Sequence, residues 1–278
     1  MMSERLRSLV ALHKKKENGQ KIVSLTAYDA CSARLLDEAG VDMILVGDSL
    51  ATVMQGHADT LHATLDAMVY HTTCVSRVVR QAVILADLPF LAYSTPEKAL
   101  AAAARLMQEG GAHAVKLEGG EPSRLAVVQA LADQHVPVCG HLGLQPQSVY
   151  QMGAYRVQGR DGESAARLLA QAWELEAAGA QMLVLECVPR ELAHDVAQAL
   201  SIPVVGIGAG PDCDGQVLVL QDMLGMTDAR FRFCRNFLAD SGGCVRTAIA
   251  HYVEAVRECR FPAAEHSFNR DDDVADRQ

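Results

Sequence analysis

The chain has 278 residues, 50% hydrophobic and 21% charged, which suits one globular domain with a large core. Its 34 acidic and 25 basic residues give a net charge of −9, which argues against nucleic acid or an anionic membrane as a partner. No run of about 18 apolar residues exists, so no membrane span is expected. Scattered cysteines without a CxxC pair, and no secretory signal, favour reduced thiols and a cytoplasmic protein.

The first predicted element is a short helix capped by Ser3, followed by alternating strands and helices. Its apolar face is expected at Leu6, Leu9, Val10 and Leu12. Further helices are predicted at 30–39 with Asp29 as cap, from Thr95-Pro96 to Gly110-Gly111, at 123–134 and at 163–178. Apolar, β-rich runs predict strands near 21–25, 42–47, 82–87, 113–117, 136–140, 181–185, 203–207 and 216–221.

This alternation predicts parallel βαβ units, and eight strands are the number that a (β/α)₈ TIM barrel needs. A doubly wound open sheet is the alternative. The strand count and the polar residues at many strand ends favour the barrel. We expect residues 1–268 to form one barrel domain with a short N-terminal helix, and residues 269–278 to form a disordered acidic tail.

Acidic residues at the ends of apolar runs indicate where the chemistry lies. Three segments share one plan of glycine, strand and acid, and they end at Asp48, Glu118 and Glu186. Asp87 closes a further run. Asp48, Asp87 and Glu118 would come from neighbouring strands, and carboxylates that close together need a cation, with oxygen ligands indicating Mg²⁺ or a similar hard ion. Alternatively, each acid caps a helix or pairs with a surface base.

Lys116, His141 and Glu186 are the other candidates. Lys116 lies two residues before Glu118, so both side chains point to the same side of the strand, where a buried lysine needs a partner. His141 could donate a hydrogen bond to an oxyanion, although a lone histidine is more often structural. Glu186 lies in an apolar stretch that should raise its pKa and suit it as a general base, with a buried salt bridge as the alternative.

A glycine-rich segment follows the seventh predicted strand. Gly206–Gly210 resembles a phosphate-binding turn, but close backbone packing is favoured.

The chain resembles the ketopantoate hydroxymethyltransferase family in a series of short motifs that occur in the family's order. Together these motifs extend from about residue 21 to 268 and are highly specific. They are Thr26–Asp29, Leu45–Ser49, Gln55–His57, Ala86–Phe90, Val115–Gly120, Pro137–Leu144, Pro146–Ser148, Val157–Arg160, Leu183–Val188, Gly206–Gly210 and Glu265–Phe268.

The resemblance implies a barrel related to the phosphoenolpyruvate mutase and isocitrate lyase group, and a homo-oligomer, often a homodecamer. It implies transfer of a hydroxymethyl group from 5,10-methylenetetrahydrofolate to 3-methyl-2-oxobutanoate, giving 2-dehydropantoate for pantothenate and coenzyme A synthesis. Mg²⁺ would stabilise the enolate of the keto acid. Alternatives are another metal-dependent 2-oxo acid lyase or mutase on the same barrel, and a non-enzymatic barrel that only binds a keto acid.

Residue roles carried over from the family fall on the same candidates. Asp48 and Asp87 resemble the Mg²⁺ ligands that hold the substrate, and Glu118 resembles the third acid of the metal site. Ser49 and Lys116 resemble the contacts to the keto acid, His141 a residue of the substrate pocket, and Glu186 the base. The chain departs from the family at Ala51-Thr52 and at His62, in a loop that could touch the pocket.

Overall fold

A computed structural model describes residues 7–272 and shows a closed barrel of eight parallel strands in chain order. The (β/α)₈ prediction is therefore confirmed, and the open sheet is not formed. The strands are β1 Ile22–Thr26, β2 Met43–Val46, β3 Val83–Asp87, β4 Ala114–Glu118, β5 Val138–Gly143, β6 Met182–Glu186, β7 Val204–Ile207 and β8 Gly215–Leu218.

Helices cover the outside of the barrel and close its amino end. They are α1 Leu9–Glu17, α2 Ala30–Ala39, α3 Leu50–Val53, α4 Leu65–Ser76, α5 Pro96–Ala104, α6 Pro122–Asp133, α7 Val149–Met152, α8 Gly162–Ala177, α9 Arg190–Ala199, α10 Leu220–Met223 and α11 Val245–Arg257. A π-helical turn, Arg105–Glu109, extends α5, and 3₁₀ turns lie at Thr60–His62, Pro146–Ser148, Ala239–Ser241 and Ala264–His266. Among residues 7–272, no helix is long and apolar enough to cross a membrane.

Local sequence signals account for several of these boundaries. Asp29 accepts hydrogen bonds from the backbone N–H groups of Cys31 and Ser32 and so caps α2, which ends at Gly40 in the left-handed conformation. Thr95 caps α5, and Pro96 occupies its first turn, where the missing N–H costs least. The predicted caps of these two helices are confirmed.

The first helix differs from its prediction. It begins at Leu9, after Ser8, whereas Ser3 and Leu6 lie outside the described residues. Leu9 and Leu12 are buried against the first inward residues of the strands, but the side chain of Val10 is 59% exposed. Val10 therefore does not belong to the apolar face, and α1 closes the amino end of the barrel through two leucines.

Two strand boundaries also move. Strand β5 begins after Pro137, which has no N–H for the ladder, and continues to Gly143. His141 therefore lies within the strand rather than after it. Strand β8 ends at Leu218 because the chain enters α10 at Leu220.

The end of the described chain is held by specific contacts. Residues 269–272 were expected to be disordered, but Asn269 bonds to Asp272, and Asp272 pairs with Arg232 at 2.9 Å. The rest of the predicted tail, 273–278, lies outside the described residues.

Asp37 of α2 provides a test of how the loop before β3 is held. Its buried carboxylate accepts hydrogen bonds from the backbone N–H groups of Arg80, Gln81 and Ala82 at 2.8–2.9 Å. Asp37→Ala should lower the free energy of unfolding by about 3 kcal/mol, because buried donors lose a charged acceptor. Urea denaturation measures this. Glu38→Ala, which removes an exposed ion pair with Arg246, is the control and should change little; equal losses would contradict the interpretation.

Candidate active site

The register of β3, β4 and β5 brings the predicted polar residues together. Asp87 pairs with Lys116 across β3 and β4, and Glu118 pairs with His141 across β4 and β5. Because alternate residues of a strand face the same side, Lys116 and Glu118 both point into the barrel, as predicted. All four side chains are buried. Asp48 and Ser49 join them from the loop that follows β2.

Lys116 is paired inside the barrel, as a buried ammonium must be. Its Nζ lies 3.0 Å from Asp87 Oδ1 and 3.2 Å from His141 Nδ1. Burial alone lowers the pKa of an ammonium, but the carboxylates of Asp87, Glu118 and Asp48 outweigh it and hold the pKa of Lys116 above its usual value. Lys116 therefore stays charged at neutral pH.

Asp48 lies directly against Asp87 at the exit of β2. Its backbone N–H donates to Asp87 Oδ2 at 3.1 Å. Gly47 permits this approach, since a Cβ there would lie 2.9 Å from Ser49 Oγ and 3.5 Å from Asp87 Oδ2. Burial first, and then the charge of Asp87, raises the pKa of the Asp48 carboxyl. Ser49 is held in turn by Tyr28, whose hydroxyl lies 2.8 Å from Ser49 Oγ.

Glu118 is the third carboxyl of the acid cluster, the name used below for Asp48, Asp87 and Glu118. Its Oε2 accepts the backbone N–H of Gln147 at 3.0 Å, and its Oε1 lies 3.8 Å from His141 Nδ1. Burial and then the charge of Asp48 raise the pKa of Glu118 well above its usual value. Neither Asp48 nor Glu118 caps a helix, so the alternative reading of these acids as helix caps is wrong for this fold.

His141 is a neutral imidazole whose proton position follows from its neighbours. Burial, and then the charge of Lys116, lowers its pKa well below the usual value. An ammonium has only donors, so His141 Nδ1, 3.2 Å from Lys116 Nζ, is the acceptor. The ring proton therefore lies on Nε2, which is 3.4 Å from Glu186 Oε2.

Glu186 stands apart from the acid cluster at the end of β6. Its side chain is partly exposed to the cavity, and burial raises its pKa to about 7, against a lowering contribution from Lys116. Its close basic neighbour, His141, is uncharged, so the alternative of a buried salt bridge does not describe it. A carboxyl with this pKa can take up and release a proton near neutral pH.

The acid cluster fits a hard divalent cation in donor type and in charge. As the side chains stand, no three His, Cys, Asp or Glu residues among 7–272 surround a metal position. However, Glu118 Oε1 is buried without a hydrogen bond from the described residues, and Asp87 Oδ1 faces the ammonium of Lys116 at 3.0 Å. Three adjacent carboxyls share one ammonium, so further positive charge would relieve their repulsion.

Gln147 is the residue that sequence reasoning missed. Its Nε2 donates to Asp48 Oδ2 at 2.8 Å and to the carbonyl of Leu88 at 3.1 Å, and its Oε1 accepts the Tyr93 hydroxyl at 2.7 Å. With its backbone bond to Glu118, Gln147 positions two acids of the cluster from the loop after β5. The residue occurs in a motif shared with the family, but no local pattern indicates a partner 99 positions away.

The predicted site residues line one cavity of about 420 Å³ at the carboxyl end of the barrel. Thr52, at one departure from the family, also lines it, whereas His62 instead stacks on His57 with ring centroids 4.3 Å apart. The structure thus brings every predicted site residue together. They are Asp48, Ser49, Asp87, Lys116, Glu118, His141 and Glu186.

Gly206–Gly210 is a packing turn, in agreement with the favoured prediction. A Cβ at Gly206 would lie 2.8 Å from Cys213 Sγ, and one at Gly210 would lie 2.6 Å from Arg190 Cβ. Gly210 also has a positive φ. These glycines let β7 leave the barrel close to the neighbouring loops.

Comparison with known proteins identifies close relatives over nearly the whole chain. Residues 7–264 match the family model described as ketopantoate hydroxymethyltransferase. A 3-methyl-2-oxobutanoate hydroxymethyltransferase of Methylococcus capsulatus is 59% identical over 256 residues, covering 92% of this chain and 94% of the relative. The enzyme of that name from Alkalilimnicola ehrlichii is 55% identical over 259 residues, covering 92% of each chain.

Solved structures of similar fold belong to the predicted structural group. The crystal structure of 2,3-dimethylmalate lyase, a member of the phosphoenolpyruvate mutase/isocitrate lyase superfamily, matches with a TM-score of 0.59 and 19% sequence identity. The match covers 93% of this chain and 97% of that one. This likeness agrees with the barrel fold of the chain.

Lys116→Met should destabilise the metal-free protein in a pH-dependent way. The raised pKa values of the buried acids mean that the folded state binds more protons than the unfolded state, so stability falls as pH rises through those values. Without the ammonium these pKa values rise further. We therefore expect Lys116→Met to lower the free energy of unfolding by about 3 kcal/mol or more at pH 8, and by less at pH 5. Urea unfolding in EDTA measures both. Lys98→Met, at an exposed position, is the control; a loss independent of pH would contradict the charge balance.

Proposed function

Because the chain belongs to the ketopantoate hydroxymethyltransferase family and is a transferase, we propose that it hydroxymethylates 3-methyl-2-oxobutanoate with 5,10-methylenetetrahydrofolate as donor. The products are 2-dehydropantoate and tetrahydrofolate. The C3–H bond of the keto acid and both methylene–nitrogen bonds of the folate break. A C3–CH₂ bond forms, water supplies the hydroxyl, and the C3 proton and the second proton of water replace the methylene on the two nitrogens.

The observation that carries this proposal is the separation of Glu186 from the acid cluster. Three carboxyls gather around Lys116, whereas Glu186 faces the same cavity from β6 with a pKa of about 7. Abstraction of a proton next to a ketone needs a base near neutral pH and positive charge at the developing oxyanion. The cavity offers both, and His141 lies between them.

The acid cluster is the proposed place for a divalent cation such as Mg²⁺. Asp48 and Asp87 would hold it, with Glu118 as the third acid, acting directly or through water. When bound, such a cation supplies Lewis acidity to the ketone and carboxylate oxygens of a 2-oxo acid. It also offsets the mutual repulsion that raises the pKa values of Asp48 and Glu118.

The chain's own donors are placed to orient the keto acid. Ser49 Oγ and the ammonium of Lys116 reach the cavity beside the acid cluster, where they can donate to its oxygens. His141 Nε2 lies 3.4 Å from Glu186 Oε2 without a hydrogen bond to it, so a slightly closer approach would let the ring donate to that carboxylate. Because an ammonium close to the developing oxyanion stabilises the transition state more than the neutral substrate, Lys116 contributes to proton abstraction as well as to binding.

Glu186 removes the C3 proton in this proposal. Its side chain lines the cavity beside apolar residues that include Val184 and Ile207, and it is the ionised form that accepts the proton. The resulting enolate carbon attacks the one-carbon unit of the folate. The same site could serve a lyase or mutase acting on another 2-oxo acid, and dependence on the folate separates these activities.

Assembly and location extend the proposal. We propose a homo-oligomer, of the decameric kind that the family resemblance implies, working in the cytoplasm.

Glu186→Gln should retain binding of the keto acid but lose exchange of its C3 proton for deuterium. The amide keeps the shape of the side chain and removes the base, so we expect a loss of about a hundredfold or more. Proton NMR in ²H₂O measures the exchange, and calorimetry measures keto acid binding. Glu174→Gln, at an exposed position of α8, is the control. Exchange at the wild-type rate in Glu186→Gln would show that Glu186 is not the base that removes the C3 proton.

Asp87→Asn should raise the concentration of Mg²⁺ needed for activity about tenfold or more, because one charged oxygen donor becomes neutral. A titration with Mg²⁺ followed by calorimetry and by C3 exchange gives both affinity and activity. Asp195→Asn, an exposed acid of α9, serves as the matched change. An unaltered Mg²⁺ requirement in Asp87→Asn would show that Asp87 does not hold the cation.

A further inference from the structure

The cavity that contains the acid cluster continues into an apolar part for which the mechanism gives no use. This part, called the side lobe below, is lined by Tyr155 from the loop after β5 and by the segment after β8. A cavity of about 420 Å³ is of the size that takes a drug-sized ligand, whereas the keto acid has only five carbons. The lining residues of the side lobe are Tyr155, Val219, Asp222, Thr227, Phe231 and Phe233.

Aromatic rings form much of the side lobe. Phe231 and Phe233 stack with ring centroids 5.1 Å apart and an angle of 13° between their planes. Phe233 is buried against Gly208, where a Cβ would lie 3.0 Å from the ring, so glycine is needed for this position. Tyr155 is 39% exposed and adds a third ring. Such faces suit a flat aromatic or heterocyclic ligand.

The segment that carries these rings is anchored from outside the cavity. Between the two phenylalanines, Arg232 pairs with Asp272 at 2.9 Å and lies over the ring of Phe268, 5.4 Å from its centroid. Phe268 is itself buried. Phe231 and Phe233, called the aromatic wall below, are therefore held in place before a ligand arrives. This lowers the entropic cost of binding.

Asp222 places a carboxylate in this apolar surrounding. Thr227 Oγ1 donates to its Oδ1 at 2.5 Å, and within residues 7–272 no hydrogen bond reaches its Oδ2. The carboxyl is more than half buried, and this burial raises its pKa despite the bond from Thr227. A half-buried carboxylate with one oxygen available is a site for a ligand that offers adjacent N–H donors.

A second cavity, of about 490 Å³, is a poorer place for such a ligand. It is lined by Phe90, Arg124 and Gln171 and meets the first only at Glu118. Neither Lys116 nor Glu186 lines it. A one-carbon unit must reach the carbon that Glu186 deprotonates, so its carrier has to enter the cavity of the side lobe.

We propose that the side lobe binds the reduced pterin ring of the one-carbon donor, with the carboxylate of Asp222 accepting from its 2-amino group and N3–H. The pyrimidine half of that ring is flat and presents these two donors on one edge, so a carboxylate can accept both while Phe231 covers a face. The inference rests on the proposed function and adds to it the residues that recognise the folate. The benzoylglutamate part then extends toward solvent.

The test compares Asp222→Asn with wild type in folate-dependent and folate-independent reactions. An asparagine has one acceptor and brings donors of its own, so the Kd for tetrahydrofolate by calorimetry and the KM for methylenetetrahydrofolate should rise about tenfold to a hundredfold. The keto acid KM and the C3 exchange without folate should stay at the wild-type values. Asp228→Asn, an exposed acid of the same segment, is the matched control and should change neither.

Phe231→Leu provides an independent arm, because it removes the stacking face and keeps an apolar side chain. We expect the same two folate constants to rise about threefold to tenfold. Unchanged folate constants in both variants, or equal rises for the folate and the keto acid, would overturn the inference. If wild type showed no exchange and no product, the proposed function would fail instead, so the two failures are distinguishable.

Discussion

The buried ammonium of Lys116 is the interaction on which the candidate site depends. Of the described residues that line the main cavity, Lys116 is the one lysine or arginine, and it faces three carboxyls of the acid cluster and the neutral ring of His141. Its charge limits how far the pKa values of Asp48 and Glu118 rise. It also determines the tautomer of His141, because an ammonium leaves Nδ1 no role but acceptor. That tautomer places the ring proton on Nε2, the nitrogen that lies 3.4 Å from Glu186 Oε2.

Barrel geometry explains how one lysine can reach so many partners. Parallel strands in register place Lys116 beside Asp87 on one neighbour and place Glu118 beside His141 on the other. Gly47 lets Asp48 approach from the third side, and Gln147 holds Asp48 and Glu118 from the loop after β5. An acidic cluster of this kind stores electrostatic repulsion, and a bound cation would relieve part of that repulsion.

Much of this site could be predicted because its acids and its lysine lie at strand ends, where local patterns are strong. The two-residue spacing of Lys116 and Glu118 alone predicts their common face. The role of Gln147 could not be predicted, since its partners come from distant strands and the contact depends on how a loop folds over the barrel. His141 lies inside β5 because the pairing of this strand with β6 continues to Gly143, beyond the predicted end at residue 140.

The residues of the side lobe, like Gln147, could not be predicted from local sequence patterns. Asp222 lies in the short helix α10 and Phe231 and Phe233 in the loop that follows it, so their common position comes from tertiary structure. Family membership identifies the reaction class, whereas the division of the cavity between two substrates is part of the proposal. In the proposed function, the acid cluster takes the small, charged substrate, and the aromatic wall of the side lobe takes the larger ring.

Deuterium exchange at C3 of 3-methyl-2-oxobutanoate, followed by proton NMR with Mg²⁺ between pH 5 and pH 9, tests the central claim most directly. The claim is that Glu186, with a pKa of about 7 in the free chain, is the base beside a cation site built around Lys116. Exchange should occur without folate, require Mg²⁺, and rise with pH until Glu186 is ionised, after which the rate levels off; product should form only when methylenetetrahydrofolate is added. Absence of exchange from the folded, Mg²⁺-supplied protein, or exchange with no pH dependence across this range, would contradict the account.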